Sequence, residues 1–462
     1  MQNAVKSYKP EPVVATNGDE VIVAANDNNS FELSEDGVAR SFATYYGDVL
    51  RYCHSTGAWF EWTGSHWRKN EVGLAPHYVR LLARDMSAGN KKANSVRKKS
   101  FAAGVETFAR NDPAFAVTIE AWDKDSFLLG TPDGTVDLRA GELRRADPAD
   151  GITKLTSVAP SAKGDCPLWL KFLDESTGGD TELIRFLQQW CGYSLTGDTR
   201  EHALIFIYGG GGNGKSVFLN TASHILKDYA TMAAMDTFTA SRGDKHPTDL
   251  AMLRGARLVT ASETEEGKAW AEARIKSLTG GDTISARFMR QDFFEFRPAF
   301  KLCIIGNHKP VLQNVDDAAR RRFNIIPFTR KPANPDRELE SKLRGEAAGI
   351  LRWMVDGCLD WQRNGLVRPE SLIAATAAYF DEQDTFAQWL ADCCRAEPDN
   401  VYLFERTPDL FASWKRYAEN AGETALGGKA FAERMRKHGF TSKKTAKDRG
   451  FTGIRLAGQT RQ

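Results

Sequence analysis

Apolar positions along the chain follow two rhythms. Three runs, ALIFIY from Ala203, ARLVTAS from Ala256 and KLCIIGN from Lys301, are short, continuous and rich in strand-forming residues. Helical stretches separate them. This pattern predicts an α/β block over residues 200–330, with a parallel sheet and crossover helices. Upstream, LSEDGVARSFATYYGDVL from Leu33 has helical spacing, with Ser34 placed as its N-cap. AWFEWTGSHWRK alternates aromatic and polar residues around Thr63-Gly64-Ser65 and predicts a β-hairpin. Its Trp59, Trp62 and Trp67 could stack bases, but three indoles in so short a hairpin are better explained by burial in a small core. Residues 75–120 read as basic helices, and FLLGTPDGTVDLRAGELRR as short strands turning at Pro132-Asp133-Gly134 and Ala140-Gly141. A helical segment runs from Cys166 to about Gly197, and helices fill 335–395.

These rhythms divide the chain into a flexible tail (1–32), an α+β module (33–165), a helical linker or collar (166–199), the α/β block (200–330), a helical extension (331–395) and a C-terminal domain (396–462). A length of 462 residues suits about three domains of ~150 residues. The 42% hydrophobic and 26% charged fractions exclude collagen-like and wholly disordered chains.

Charge changes the picture only when it is located. The chain has 62 Lys and Arg against 60 Asp and Glu, so a uniformly basic nucleic-acid coat is excluded. From Lys429 onward, however, ten basic residues face only Glu433 and Asp448. That end carries +8 and leaves −6 for the rest. Its sequence, GKAFAERMRKHGFTSKKTAKDRGFTGIRL, reads as helix, loop and short strands, as a winged-helix DNA binder would, with Lys443 and Lys444 as candidate contacts. The seven cysteines form no C-x-x-C pair, which argues against a structural zinc site or a disulfide framework. No apolar run approaches the ~20 residues of a membrane span, and the start lacks an apolar signal region. A cytoplasmic protein without membrane attachment is expected.

The most specific chemistry lies in Gly209-Gly-Gly-Gly-Asn-Gly-Lys-Ser216, which matches G-x-x-x-x-G-K-[ST] between a predicted strand and a predicted helix. Gly209, Gly212, Asn213 and Gly214 allow backbone N–H groups to wrap phosphates, and the helix start adds positive potential. Lys215 is placed for the β/γ-phosphates and Ser216 for Mg²⁺. The run LVTASE ends at Glu263, a candidate for polarising water and for holding Mg²⁺, with Glu265 and Glu266 as register alternatives. Asn307 follows the third apolar run and can position water or touch a γ-phosphate. Arg320, Arg321 and Arg322 then precede the apolar strand Ile325–Phe328 and can supply an arginine finger to a neighbouring subunit. Residues Asp282–Phe296 alternate as a hairpin with a tip near Arg290-Gln291-Asp292. Arg287, Arg290 and Lys276 are its candidate phosphate contacts, against the plainer reading that Lys276 and Arg287 pair with nearby acids.

In this order the motifs resemble the superfamily 3 helicases, in the branch of phage/plasmid primase-helicases and poxvirus-type helicase-primases. The resemblance spans about 35–390. It rests on GGGGNGKS, GARLVTASETEEG, IKSLTGGDTISARFMR, IIGNHKP and DDAARRRFNIIPF, on IRFLQQWCGYSLTG before them and on KLRGEAAGILRWMVDG after them. It implies an AAA+-like ATPase core, ATP and Mg²⁺ as cofactors, and a homo-hexameric ring translocating on DNA in phage- or plasmid-type replication. Glu263 becomes the catalytic acid, Asn307 the sensor, and Arg321 or Arg322 the finger in trans. The family usually has Trp-Arg-Arg where this chain has Arg320-Arg321-Arg322, which leaves the finger's register open. With about 32 residues ahead of the module, the expectation is a helicase without priming, partnered by a separate primase or other replication proteins. The competing expectation is a DNA-stimulated AAA+-like switch or loader that does not processively unwind.

Overall fold

The structure is a computed structural model, and it describes residues 32–91, 93–240, 248–263, 269–290, 292–312, 317–332, 334–421, 425 and 427–457. The chain divides into two compact units. The first comprises the described residues up to Trp59 together with Asn70–Val117, and the second comprises Phe60–Lys69 and Thr118 onward. This division runs through the stretch read above as one module over 33–165.

In the first unit, helices Glu35–Tyr46, Leu74–Met86 and Lys99–Asn111 pack around a parallel strand pair, Leu50–Cys53 with Ala116–Val117. Ser34 caps the first helix, its Oγ accepting from the Gly37 N–H at 3.1 Å. Val38, Phe42, Val79, Val105 and Phe115 form the core.

The second unit is built on a sheet of five strands among the described residues: β1 Leu204–Tyr208, β2 Ala230–Met232, β3 Leu258–Glu263, β4 Lys301–Gly306 and β5 Phe323–Pro327. Their order is β5-β1-β4-β3-β2, and every pairing is parallel. The three apolar runs are the three central strands. They lack polar alternation because both faces are covered. Leu204 and Phe206 of β1 point into one core with Val259, Ile304 and Ile325, while Ile205 and Ile207 point into the other with Phe218, Leu187 and Ile350.

Helices Pro167–Thr177, Thr181–Ser194 and Ala347–Asn364 belong to the second of these cores. The segment expected as one helix is two, broken at Gly178 and Gly179, whose φ values of 75° and 82° leave the helical region. Two helices meet at glycines: a Cβ on Gly192 would lie 2.1 Å from the Cys358 nitrogen, and one on Gly357 would lie 2.2 Å from the Gln188 oxygen. Glu346 caps the Pro167–Thr177 helix, its carboxylate accepting from the Leu168 and Trp169 N–H groups at 3.0 and 2.9 Å.

The hairpin over Phe60–Lys69 forms as expected. Trp67 is buried and donates its indole N–H to the Pro148 carbonyl at 2.8 Å, so it is a core residue. Strands Leu128–Thr131, Gly134–Asp137 and Glu142–Arg144 form the expected meander. At the C-terminal end, strand Phe404–Arg406 is followed by helices Thr407–Asn420 and Gly428–Lys437. Strands Thr441–Lys444 and Arg449–Thr452 come next, and Arg449–Thr452 lies at the centre of that three-stranded antiparallel sheet. Trp389, Trp414, Phe431 and Phe451 fill its core. Among the described residues no helix is long and apolar enough to cross a membrane.

Candidate functional site

The parallel register brings Glu263, Asn307 and the glycine loop to one edge of the sheet. Glu263 at the end of β3 is the Cα partner of Gly306 at the end of β4, and Gly306 is the partner of Tyr208 at the end of β1. Tyr208 is in turn the partner of Pro327 at the end of β5. One residue further along each strand stand Asn307, Gly209 and Phe328. The C-terminal edge of a parallel sheet is where α/β folds place ligands.

The glycine loop leaves β1 at this edge and runs directly into helix Lys215–Leu226. Its backbone explains its composition. Gly209, Gly212 and Gly214 have φ of 156°, 81° and 85°, and a Cβ on Gly214 would lie 2.6 Å from the Phe172 ring. By contrast, Cβ atoms on Gly210, Gly211 and Gly212 would meet nothing within 4 Å, so the crest of the loop faces open space. The loop is held on both sides. The Gly209 N–H donates to the Gly306 carbonyl at 3.3 Å, and the Asn213 amide donates to the Phe328 carbonyl.

Lys215 is buried, and its ammonium donates to the Gly209 carbonyl at 2.6 Å, the Gly210 carbonyl at 3.0 Å and Asn213 Oδ1 at 2.9 Å. Burial pulls its pKa below the ordinary lysine value. Ser216 is exposed at the helix start, beside N–H groups that the helix itself leaves unpaired. A cradle of N–H donors with a lysine at its floor can take an anion with several oxygens. Asn307 is exposed just past β4. Glu265 and Glu266 lie outside the described residues.

The arginines stand elsewhere. Helix Asp317–Arg322 leads into the start of β5, where Phe323 pairs with Leu204 at the start of β1. Five strand residues at about 3.3 Å each put roughly 16 Å between the two edges. Arg320 lies 5.0 Å over the Phe380 ring and 3.6 Å from Asp381. Arg322 turns back to its own helix, Nη1 donating to the Ala318 carbonyl at 3.1 Å. Arg321 is the exposed member of the three.

The hairpin also forms, pairing Ile284–Ala286 with Phe294–Phe296. Arg287 and Arg290 are exposed at its tip, Arg287 lying 4.8 Å over the Phe293 ring, and Gln291 lies outside the described residues. Lys276 is half-buried on helix Glu272–Gly280. Lys443 and Lys444 are exposed on their C-terminal strand. The registers of the central sheet do not carry any of these to the loop. Among the described residues no cluster of three His, Cys, Asp or Glu could hold a metal.

Two neighbours of the loop are not signalled by its motif: Phe172 and Ser176, on helix Pro167–Thr177, back Gly214.

A family described as D5 N terminal like matches residues 39–178, and a family of unknown function (DUF5906) matches residues 207–322, the stretch that contains the loop and the ends of β1, β3 and β4. A protein of Acanthamoeba polyphaga mimivirus named as a putative helicase is 24% identical over 330 residues, covering 66% of this chain and 34% of its own length. One so named in Frog virus 3 is 26% identical over 252 residues, covering 50% and 26%. The chain fits the D5-like helicase-primase family. This D5-like chain spans about a third or less of the length of these curated relatives. Its fold is similar to the apo structure of the NrS-1 C-terminal region, with a TM-score of 0.53 at 12% identity over 92% of this chain and 99% of that one.

Proposed function

We propose that this D5-like chain is an ATP-dependent DNA helicase of the superfamily 3 type, working as a ring with its nucleotide sites between subunits. The observation that carries this reading is the opposition of two edges of one sheet. The loop, the end of β3 and Asn307 gather at the C-terminal edge, and Arg321 stands at the N-terminal edge. An arginine that far from its own loop serves a nucleotide by reaching a neighbouring subunit's loop. That requirement supports a closed assembly of copies, a homo-hexamer in this reading.

This reading gives each residue a role that its place in the fold supports. Loop N–H groups and Lys215 receive the triphosphate, with Lys215 exchanging its present carbonyl contacts for phosphate oxygens. Glu263 orients the attacking water, and Asn307, one residue past the Gly306 partner of Glu263, senses the γ-phosphate. The open crest of the loop and the exposed hydroxyl of Ser216 fit a hydrated Mg²⁺ held by Ser216 and Glu263, which when bound neutralises phosphate charge. Arg321 stabilises the charge that develops in transfer to water. The hairpin tip, with Arg287 and Arg290 exposed, contacts DNA phosphates together with Lys276 on the helix before it. The strand–helix–helix–strand–strand order at the C-terminal end supports a winged helix, with Lys443 and Lys444 on its wing.

The test is strand displacement on a forked DNA substrate with ATP and Mg²⁺, using Lys215→Ala as the control. Displacement by the wild type and none by the variant is the expected result. A wild type that assembles and hydrolyses ATP but never separates strands would sink the helicase reading and favour a switch or loader.

A further inference from the structure

The ATPase reading leaves unused a strongly polarised surface on the first unit. Residues 80–99 hold seven Lys or Arg and a single acid, Asp85. The rest of that unit's described residues hold three bases against seven acids. Arg80 and Arg84 lie one turn apart on helix Leu74–Met86, and Lys91, Arg97, Lys98 and Lys99 follow before or at the start of helix Lys99–Asn111. All six are exposed. The ion pairs of this unit among the described residues, Arg40–Asp36 and Arg110–Glu106, involve none of them.

Fold stability does not account for this arrangement. Lys98 is the N-cap residue of the Lys99–Asn111 helix, provides no side-chain cap, and is followed by no acid in the first turn. Cations at the positive end of a helix dipole are unfavourable, where Ser or Asp would stabilise. Lys98 and Lys99 therefore oppose the helix they begin, and the exposed cations of 80–99 repel one another, so this surface favours an external polyanion. Residues 80–99 also contain no aromatic side chain, so no stacking platform for bases is present.

We infer that this face binds the phosphate backbone of nucleic acid, without reading bases, as a contact surface separate from the ATPase block. The inference needs neither hydrolysis nor unwinding, so it stands or falls apart from the proposed activity.

The test uses the full chain without nucleotide. Fluorescence anisotropy would follow binding to a labelled single strand and to a duplex of equal length, across a salt series. An Arg97→Ala/Lys98→Ala/Lys99→Ala variant should bind more weakly and equally so for unrelated sequences. Its log-affinity against log-salt slope should fall by roughly 0.7 (single strand) to 0.9 (duplex) for each phosphate that is no longer neutralised, so the two arms identify which form the face holds. Thermal melts check folding, and Arg80→Gln/Arg84→Gln gives the same reading from a different helix. ATP turnover without DNA should stay at the wild-type rate in both variants. Affinity and slope unchanged in both would overturn the inference, as would a loss that depends on base sequence. A lowered slope in a protein that never unwinds DNA would leave the inference standing and the helicase reading refuted.

Discussion

Asn213 and Phe328 fasten the glycine loop to β5: the Asn213 amide donates to the Phe328 carbonyl while its Oδ1 accepts from Lys215 at 2.9 Å. One buried side chain thus sets both the loop's position and the resting place of the lysine. In Asn213→Ala the Phe328 carbonyl loses this donor and Lys215 loses one of three acceptors. Unmade hydrogen bonds of buried groups cost about 1–3 kcal/mol. The expected result is a nucleotide affinity lower by about 5- to 100-fold by titration calorimetry, with the cooperative melt retained. Equal affinity in variant and wild type would mean that the clasp does not shape the loop.

Removing the lysine separates binding from folding. Lys215 is buried, but its partners are loop oxygens and not core groups, so Lys215→Ala should retain its melt while ATP turnover falls to background. Glu263→Gln should do the opposite to binding: ATP is held but turnover drops by about 100-fold or more, the scale of a lost general base. Full turnover in Glu263→Gln would transfer the role to Glu265 or Glu266.

Much of this site was legible because its signals are local. A loop of glycines before Lys215 and Ser216 carries its own backbone requirement, and the continuous apolar runs announce strands buried on both faces. Strand order was not legible. That Glu263 and Gly306 are partners, and that Arg321 stands at the opposite edge, follows from pairings between strands 43 to 119 residues apart in sequence. The short edge strand Ala230–Met232 was not legible either, since three residues give no period. The break at Gly178-Gly179 could have been read, because consecutive glycines are poor helix formers.

The three arginines should separate by assay. Arg320 lies against Phe380 and Asp381, Arg322 donates to its own helix, and Arg321 is the most exposed of the three. Arg320→Ala and Arg322→Ala should lower the melting temperature more than they lower turnover, and in Arg321→Ala turnover should fall by about 10³-fold or more while the cooperative melt is retained. Mixing Arg321→Ala with Lys215→Ala subunits should restore part of the turnover, because a mixed interface can pair an intact loop with an intact arginine. No recovery in mixed assemblies would refute action in trans. Recovery only with Arg322→Ala would move the finger by one residue.

Two helices that share a core with helix Lys215–Leu226 carry a pH-dependent tie. Arg185 on Thr181–Ser194 donates twice to Asp360 on Ala347–Asn364, both at 2.8 Å, and Gln189 and Asn364 donate to the same carboxylate at 2.8 and 2.6 Å. Arg185 foremost, with these amides adding and burial opposing, pulls the Asp360 carboxyl from its ordinary 3.8 down to about 2. The folded value lies below the unfolded one, so the stabilisation is complete above about pH 4 and is lost as the pH falls through about 2. Because the Arg185 side chain is nearly half exposed, solvent screening leaves about 1 kcal/mol. Asp360→Asn should thus melt a few degrees below wild type at pH 7 and at pH 5, and that gap should narrow as the pH drops from 4 towards 2. A gap that stays constant down to pH 3 would assign the loss to packing between the helices and not to charge.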